Sequence, residues 1–130
     1  MFEKAILELD LLEFAVGNDV VFLPDFTASF TALFQKKVYT ADEIAYCERF
    51  DHSILRFAST WAGKEAVYKA VKQLEPKPLA FKKIEIIRSK IAGTPMVNLP
   101  DDLSNLAISL SITHDGDYVC AIAIAKKKYD

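Results

Sequence analysis

From Ile54 to Leu74 the chain carries no proline, and Pro76 and Pro78 then close the segment. The pattern predicts one long helix, because proline lacks an N–H and disfavours α backbone in the residue before it. Asp51 or Ser53 can cap its start. A helix of this length spans roughly 30 Å, about the width of a small domain, so the other elements have to pack along it. Downstream the periodicity changes. Lys83 to Ser89 and Met96 to Leu99 read as strands flanking a turn at Ala92-Gly93. Leu106 to Ile112 and Tyr118 to Ala125 alternate around His114-Asp115-Gly116-Asp117, a stronger hairpin signal. Upstream, Lys4 to Leu9 and Phe14 to Phe22 read as strands, the second interrupted by Gly17, Asn18 and Asp19. A helix from Pro24 to Lys36 follows, with Phe26, Phe30, Leu33 and Phe34 on one face. Thr40 and Glu43 form a capping box, with Tyr39 and Ile44 as its hydrophobic staple, for a helix reaching about Phe50. Strand, helices and then antiparallel hairpins predict an α+β domain in which an antiparallel sheet packs against the long helix.

The length of 130 residues predicts a single domain, residues 1–130. It is enough to bury roughly two-thirds of the unfolded surface, so folding needs neither a disulfide nor a structural metal. A net charge of -2 gives no general attraction to nucleic acid or to an acidic membrane surface. The basic run Lys126 to Lys128 reads as a solubilising tail, with a docking patch as the alternative. Cys47 and Cys120 match no metal motif and make no disulfide scaffold. No secretory pattern is visible, and no apolar run approaches the ~20 residues that cross a bilayer. A cytoplasmic location and no membrane partner are expected.

Three places carry possible chemistry. Glu65 follows Ala58, Trp61 and Ala62 at helical spacing, which puts its carboxylate on the apolar face of the long helix. A buried carboxylate needs a cation or a metal. The plainer alternative is an i,i+4 ion pair with Lys69 on the helix surface. Asp19 sits in an apolar strand, where it marks either a bulge or a ligand. The two carboxylates make a metal site only if the fold brings them together, and Mg2+ suits such a site because it takes one or two carboxylates plus phosphate oxygens and water. His114, beside Thr113 at the tip of the predicted hairpin, is either solvated or part of an anion site built from hydroxyl and turn N–H groups.

Together these places resemble the holo-acyl-carrier-protein synthase branch of the 4'-phosphopantetheinyl transferase superfamily. The resemblance rests on the GNDVV strand, and on Trp61, Ala62, Lys64, Glu65, Ala66, Lys69 and Ala70 against a W/F-A-A-K-E-A-x-x-K-A helix. Gly93, Thr94 and Pro95 match a GKP hairpin, and Ser111, Ile112, Thr113 and His114 match S-x-S/T-H. The order holds from about Val16 to Ala125.

The resemblance implies that the 4'-phosphopantetheine group of coenzyme A passes to a serine of an apo acyl carrier protein, with release of 3',5'-ADP. It implies Mg2+ on Asp19 and Glu65, Glu65 as proton acceptor, and Lys69 as a charge on the diphosphate. Lys64, Lys69, Pro95, Thr113 and His114 would contact coenzyme A. A homotrimer and a role in fatty acid biosynthesis are also implied. The chain departs from the family pattern in three ways: Thr60 stands in place of an arginine, Thr94 in place of a lysine, and Asp25 lies in the helix whose basic residues usually meet the carrier. Asp25 therefore implies weak salt dependence of docking or a less acidic carrier. The competing reading is a domain of the same fold that binds a nucleotide or a protein without catalysing transfer.

Overall fold

The computed structural model describes residues 13–88 and 93–128. Lys4 to Leu9 and Ala92 of the predicted turn lie outside those residues. Phe14–Phe22 is one unbroken strand, β1, where the sequence predicts an interruption. Its register on the last strand runs without a bulge through Gly17 opposite Ala123 and Asp19 opposite Ala121. Gly17 is there for a different reason. A Cβ at this position would overlap the Ala66 carbonyl oxygen and come within 2.6 Å of the Ala70 nitrogen. It is the place where strand and helix backbones touch.

The predicted helix from Pro24 to Lys36 is two helices, α1 (Leu23–Ser29) and α2 (Ala32–Val38). The break has a local cause. Thr31 adopts extended backbone, and its hydroxyl accepts the Phe34 N–H, starting a new helix. The capping box forms at Thr40 and Glu43 and opens α3, which ends at Cys47, short of Phe50. The long helix is α4, Ser53–Leu74. It has no side-chain cap, so neither Asp51 nor Ser53 fills that role, and it ends in extended backbone at Glu75 before Pro76.

Two hairpins follow. β2 (Glu85–Arg88) pairs with β3 (Pro95–Asn98), and β4 (Leu106–Asp115) pairs with β5 (Tyr118–Lys127). The second hairpin turns on Gly116, at φ +56°, and Asp117. His114 is therefore a strand residue opposite Val119 and not part of the tip. β1 joins β5 to make an antiparallel sheet in the order β1-β5-β4, separate from the β2-β3 pair.

Ala58, Ala62, Ala66 and Ala70 are fully buried along one face of α4, and Ala121, Ala123 and Ala125 are buried on β5. Small side chains on both surfaces let helix and sheet approach closely. The other sheet face is open, with Phe14, Val16, Val20, Ile122 and Ile124 exposed. On the helix side, α3, α4 and β2 are tied by one polar cluster. Glu43 Oε1 accepts Lys64 Nζ at 2.7 Å and the Thr40 N–H at 2.8 Å, and its Oε2 accepts the Ile86 N–H at 2.8 Å. Lys64 also donates to the carbonyls of Phe81 at 2.9 Å and Ile84 at 2.6 Å.

Candidate active site

Along β1 the residues facing α4 are Ala15, Gly17, Asp19 and Val21, as the two-residue period of a strand requires. Gly17 brings the strand onto the helix, and two residues later Asp19 arrives at the level of Glu65 and Lys69. Lys69 Nζ lies 3.0 Å from Asp19 Oδ1 and donates to the Asn18 carbonyl at 2.9 Å. The expected Glu65–Lys69 pair along the helix does not form among the described residues; the lysine reaches across to β1 instead.

Glu65 is half-buried, and its carboxyl is pushed up from the usual carboxylate value to about 7. Burial is the main cause. A hydrogen bond and charge repulsion from Asp19 add to it, and Lys69 pulls the other way. Two carboxyl groups are thus held side by side with less cationic compensation than two anions require. Both are hard oxygen donors, and a pair of carboxylates leaves the remaining positions of an octahedral ion for water and phosphate, so the donor set fits Mg2+. Asp19 and Glu65 line a cleft of about 330 Å³ whose walls include Phe22, Phe26, Phe34 and Trp61.

Pro95 and His114 lie elsewhere on the protomer. They line a depression of about 170 Å³ together with Arg56, Ser59, Tyr46 and Arg88. Sequence reasoning missed the two arginines. The Arg56 guanidinium sits 4.2 Å from the centre of the Phe50 ring, and that of Arg88 sits 5.0 Å from the Tyr46 ring. Neither has a carboxylate within 4.0 Å among the described residues. Two stacked, unpaired guanidiniums facing one depression are suited to an anion. Position 56 is one helical turn before Thr60, where the family pattern has an arginine, and on the same face of α4; that offset was the available signal. Thr60 itself is core: its hydroxyl donates to the Arg56 carbonyl at 2.9 Å.

One expectation needs correction. Lys64 does not contact a phosphate from the surface, because it is fully buried and its ammonium is spent on Glu43, Phe81 and Ile84. Burial pulls its pKa down, and Glu43 opposes that. The resemblance implies that Thr113 and His114 both contact coenzyme A; within one chain the two side chains are set apart. As neighbours on β4 they point to opposite sheet faces, Thr113 outward and His114 into the arginine depression.

Residues 15–123 match the model of the 4'-phosphopantetheinyl transferase superfamily. The chain is 34% identical over 122 residues to a holo-[acyl-carrier-protein] synthase of Aquifex aeolicus, covering 87% of this chain and 98% of that protein. It is 36% identical over 117 residues to the fatty acid synthase alpha subunit hexA of Dothistroma septosporum, covering 84% of this chain but 7% of that much longer protein. Among solved structures, the ACPS-CoA complex of Chronobacterium ammoniagenes superposes with a TM-score of 0.75 at 25% identity, over 89% of this chain and 98% of that one.

Proposed function

The chain belongs to the 4'-phosphopantetheinyl transferase superfamily, in its holo-acyl-carrier-protein synthase branch, and we propose that it carries out the Mg2+-dependent form of that reaction at the Asp19–Glu65 cleft. The observation that carries the reading is the carboxyl pair itself, drawn from a strand and a helix and flanked by Lys69. The acceptor is a serine hydroxyl of an apo acyl carrier protein and the donor is coenzyme A. The serine oxygen bonds to the β-phosphorus bearing the pantetheine arm. The bond from that phosphorus to the bridging oxygen breaks, and 3',5'-ADP leaves with the oxygen.

Glu65 takes the serine proton, directly or through a water. A carboxylate held near neutrality is matched to that role. Asp19 holds Lys69, a half-exposed side chain, in place, and in this proposal its ammonium faces the charge that grows on the leaving diphosphate oxygens. Mg2+ held by Asp19 and Glu65 would supply the larger part of that charge compensation. Arg56, Arg88 and His114, with Pro95 beside them, receive the nucleotide end.

The carboxyl cleft and the arginine depression share no lining residue. In this reading they meet between copies of a homotrimer, whose contacts cover the open apolar sheet face. No helix among the described residues is long and apolar enough to cross a membrane. A cytoplasmic role in fatty acid biosynthesis is part of the same proposal. The test is mass spectrometry of apo-carriers incubated with coenzyme A and Mg2+. One added phosphopantetheine on a serine is expected. Folded protein that modifies no apo-carrier would overturn the reading.

A further inference from the structure

The helix expected to meet the carrier carries one charge, the acidic Asp25, yet the structure concentrates positive charge on segments that follow the cleft's aromatic wall. Two aromatic rings frame that cleft, Phe34 from α2 and Trp61 from α4, with centroids 5.1 Å apart. Each leads to a lysine pair. Lys36 and Lys37 follow Phe34 within one turn of α2. Trp61 meets Phe81 edge-to-face with centroids 4.8 Å apart, and Lys82 and Lys83 follow Phe81 in a 3-10 turn. The two pairs, distant in sequence, form one patch, because Lys82 Nζ donates to the Lys36 carbonyl at 3.3 Å. All four lysines are exposed. None has a carboxylate within 4.0 Å among the described residues. Glu85 and Asp101 share a hollow with Lys82 and Lys83 without neutralising them.

We propose that Lys36, Lys37, Lys82 and Lys83 form the docking surface for an acidic face of the apo-carrier protein, in place of the basic first helix that this chain lacks. The inference rests on the transferase reading, since the partner is the protein whose serine enters the cleft. Charge complementarity selects an acidic partner, and the patch is carried by α2 and by the 3-10 turn at Phe81, the two segments whose rings Phe34 and Phe81 pack against Trp61 of the cleft. Lys126 to Lys128 are less suited: Lys126 pairs with Phe14, at the far end of β1 from Asp19.

The contact should be salt-sensitive, not shallow as Asp25 alone implies. Raising ionic strength from about 0.01 M to about 0.15 M cuts the Debye length from ~30 Å to ~8 Å. The test compares wild type with a variant carrying Lys36→Glu, Lys37→Glu, Lys82→Glu and Lys83→Glu, and with the milder set of four Lys→Gln changes in case the charge reversal disturbs folding. Carrier kcat/KM, coenzyme A KM and far-UV circular dichroism are measured at both ionic strengths. The expected result is a fall of about tenfold or more in carrier kcat/KM at low salt, since charges at an interface rim act mainly on association rate. A smaller fall is expected for the Gln set, with coenzyme A KM unchanged in both. A Lys126→Glu/Lys128→Glu control should behave as wild type. Folded variants with wild-type carrier kcat/KM would overturn the docking proposal and leave the transferase reading intact, because transfer itself persists. A rise in coenzyme A KM with unchanged carrier KM would overturn it by assigning the lysines to the nucleotide. A wild-type protein that neither binds nor modifies an acidic apo-carrier would overturn both.

Discussion

Lys64→Met separates a structural lysine from a catalytic one. In the folded protein the ammonium is fully buried, 2.7 Å from Glu43 Oε1 and bonded to two backbone carbonyls. Methionine keeps most of the volume and removes all three interactions. Glu43 keeps two N–H donors, Thr40 and Ile86, but its charge is then buried without a cation. Breaking a buried ion pair from one side costs about 3–5 kcal/mol. The carbonyls of Phe81 and Ile84 lose their donor at the same time, at about 1–3 kcal/mol for a buried group left unpaired, and part of that is already contained in the first figure. A loss of about 4 kcal/mol is a large share of the ~5–15 kcal/mol that holds a domain together. Urea melts of wild type, Lys64→Met and Glu43→Gln/Lys64→Met check it. The double variant should recover part of the loss, because it no longer buries an unpaired carboxylate. Coenzyme A KM, measured on the folded fraction of Lys64→Met, should be unchanged. A single variant within about 1 kcal/mol of wild type, with a raised coenzyme A KM, would refute the reasoning and return Lys64 to the phosphate.

Three further outcomes are expected. Glu65→Gln should keep the fold and lose Mg2+-dependent transfer by at least ~100-fold, the scale of general-base catalysis; near-normal turnover in the apo-carrier mass assay would remove Glu65 as ligand and base. Mg2+ at about 100 times its dissociation constant should stabilise wild type by about 2.7 kcal/mol in thermal melts, and should do so much less in Asp19→Asn; equal stabilisation of both proteins would place the ion elsewhere. Gly17→Ala should destabilise by about 1–3 kcal/mol through overpacking, because the new Cβ meets backbone at Ala66 and Ala70, whereas Gly63→Ala meets only side-chain ends of Ile112 and Leu110 at 3.2 Å and should cost less; chemical melts that rank the two the other way would contradict the close approach of β1 and α4.

The elements that were legible are those whose signals act locally. The Thr40–Glu43 capping box needs only neighbouring residues, and it formed as read. The end of α4 before Pro76 follows from proline's own sterics. Thr31 acts locally too, but the aromatic spacing of Phe26, Phe30 and Phe34 runs straight across it. Those three rings do pack on one another, with a helix break between them. Apolar periodicity therefore survived a change of helix, and it could not locate the boundary.

The site was legible to the extent that its residues break an apolar pattern. Asp19 and Glu65 stood out because one carboxylate interrupts an apolar strand and the other falls on the apolar face of a helix, and the fold brings the two to one cleft. Gly17 and Lys64 were misread for the complementary reason: their roles are set by partners far away in sequence. Glycine inside a strand signals either a bulge or a close approach, and only the position of Ala66 and Ala70 decides between them. A lysine next to Glu65, the proposed base, invites a phosphate, yet adjacent helix residues point about 100° apart, so Lys64 faces Glu43 and β2 while Glu65 faces β1. The same geometry hid Arg56 and Arg88. Each is an ordinary charged residue in sequence, and they become a possible anion site only when α4 and β2 set two ring-stacked guanidiniums around one depression with His114.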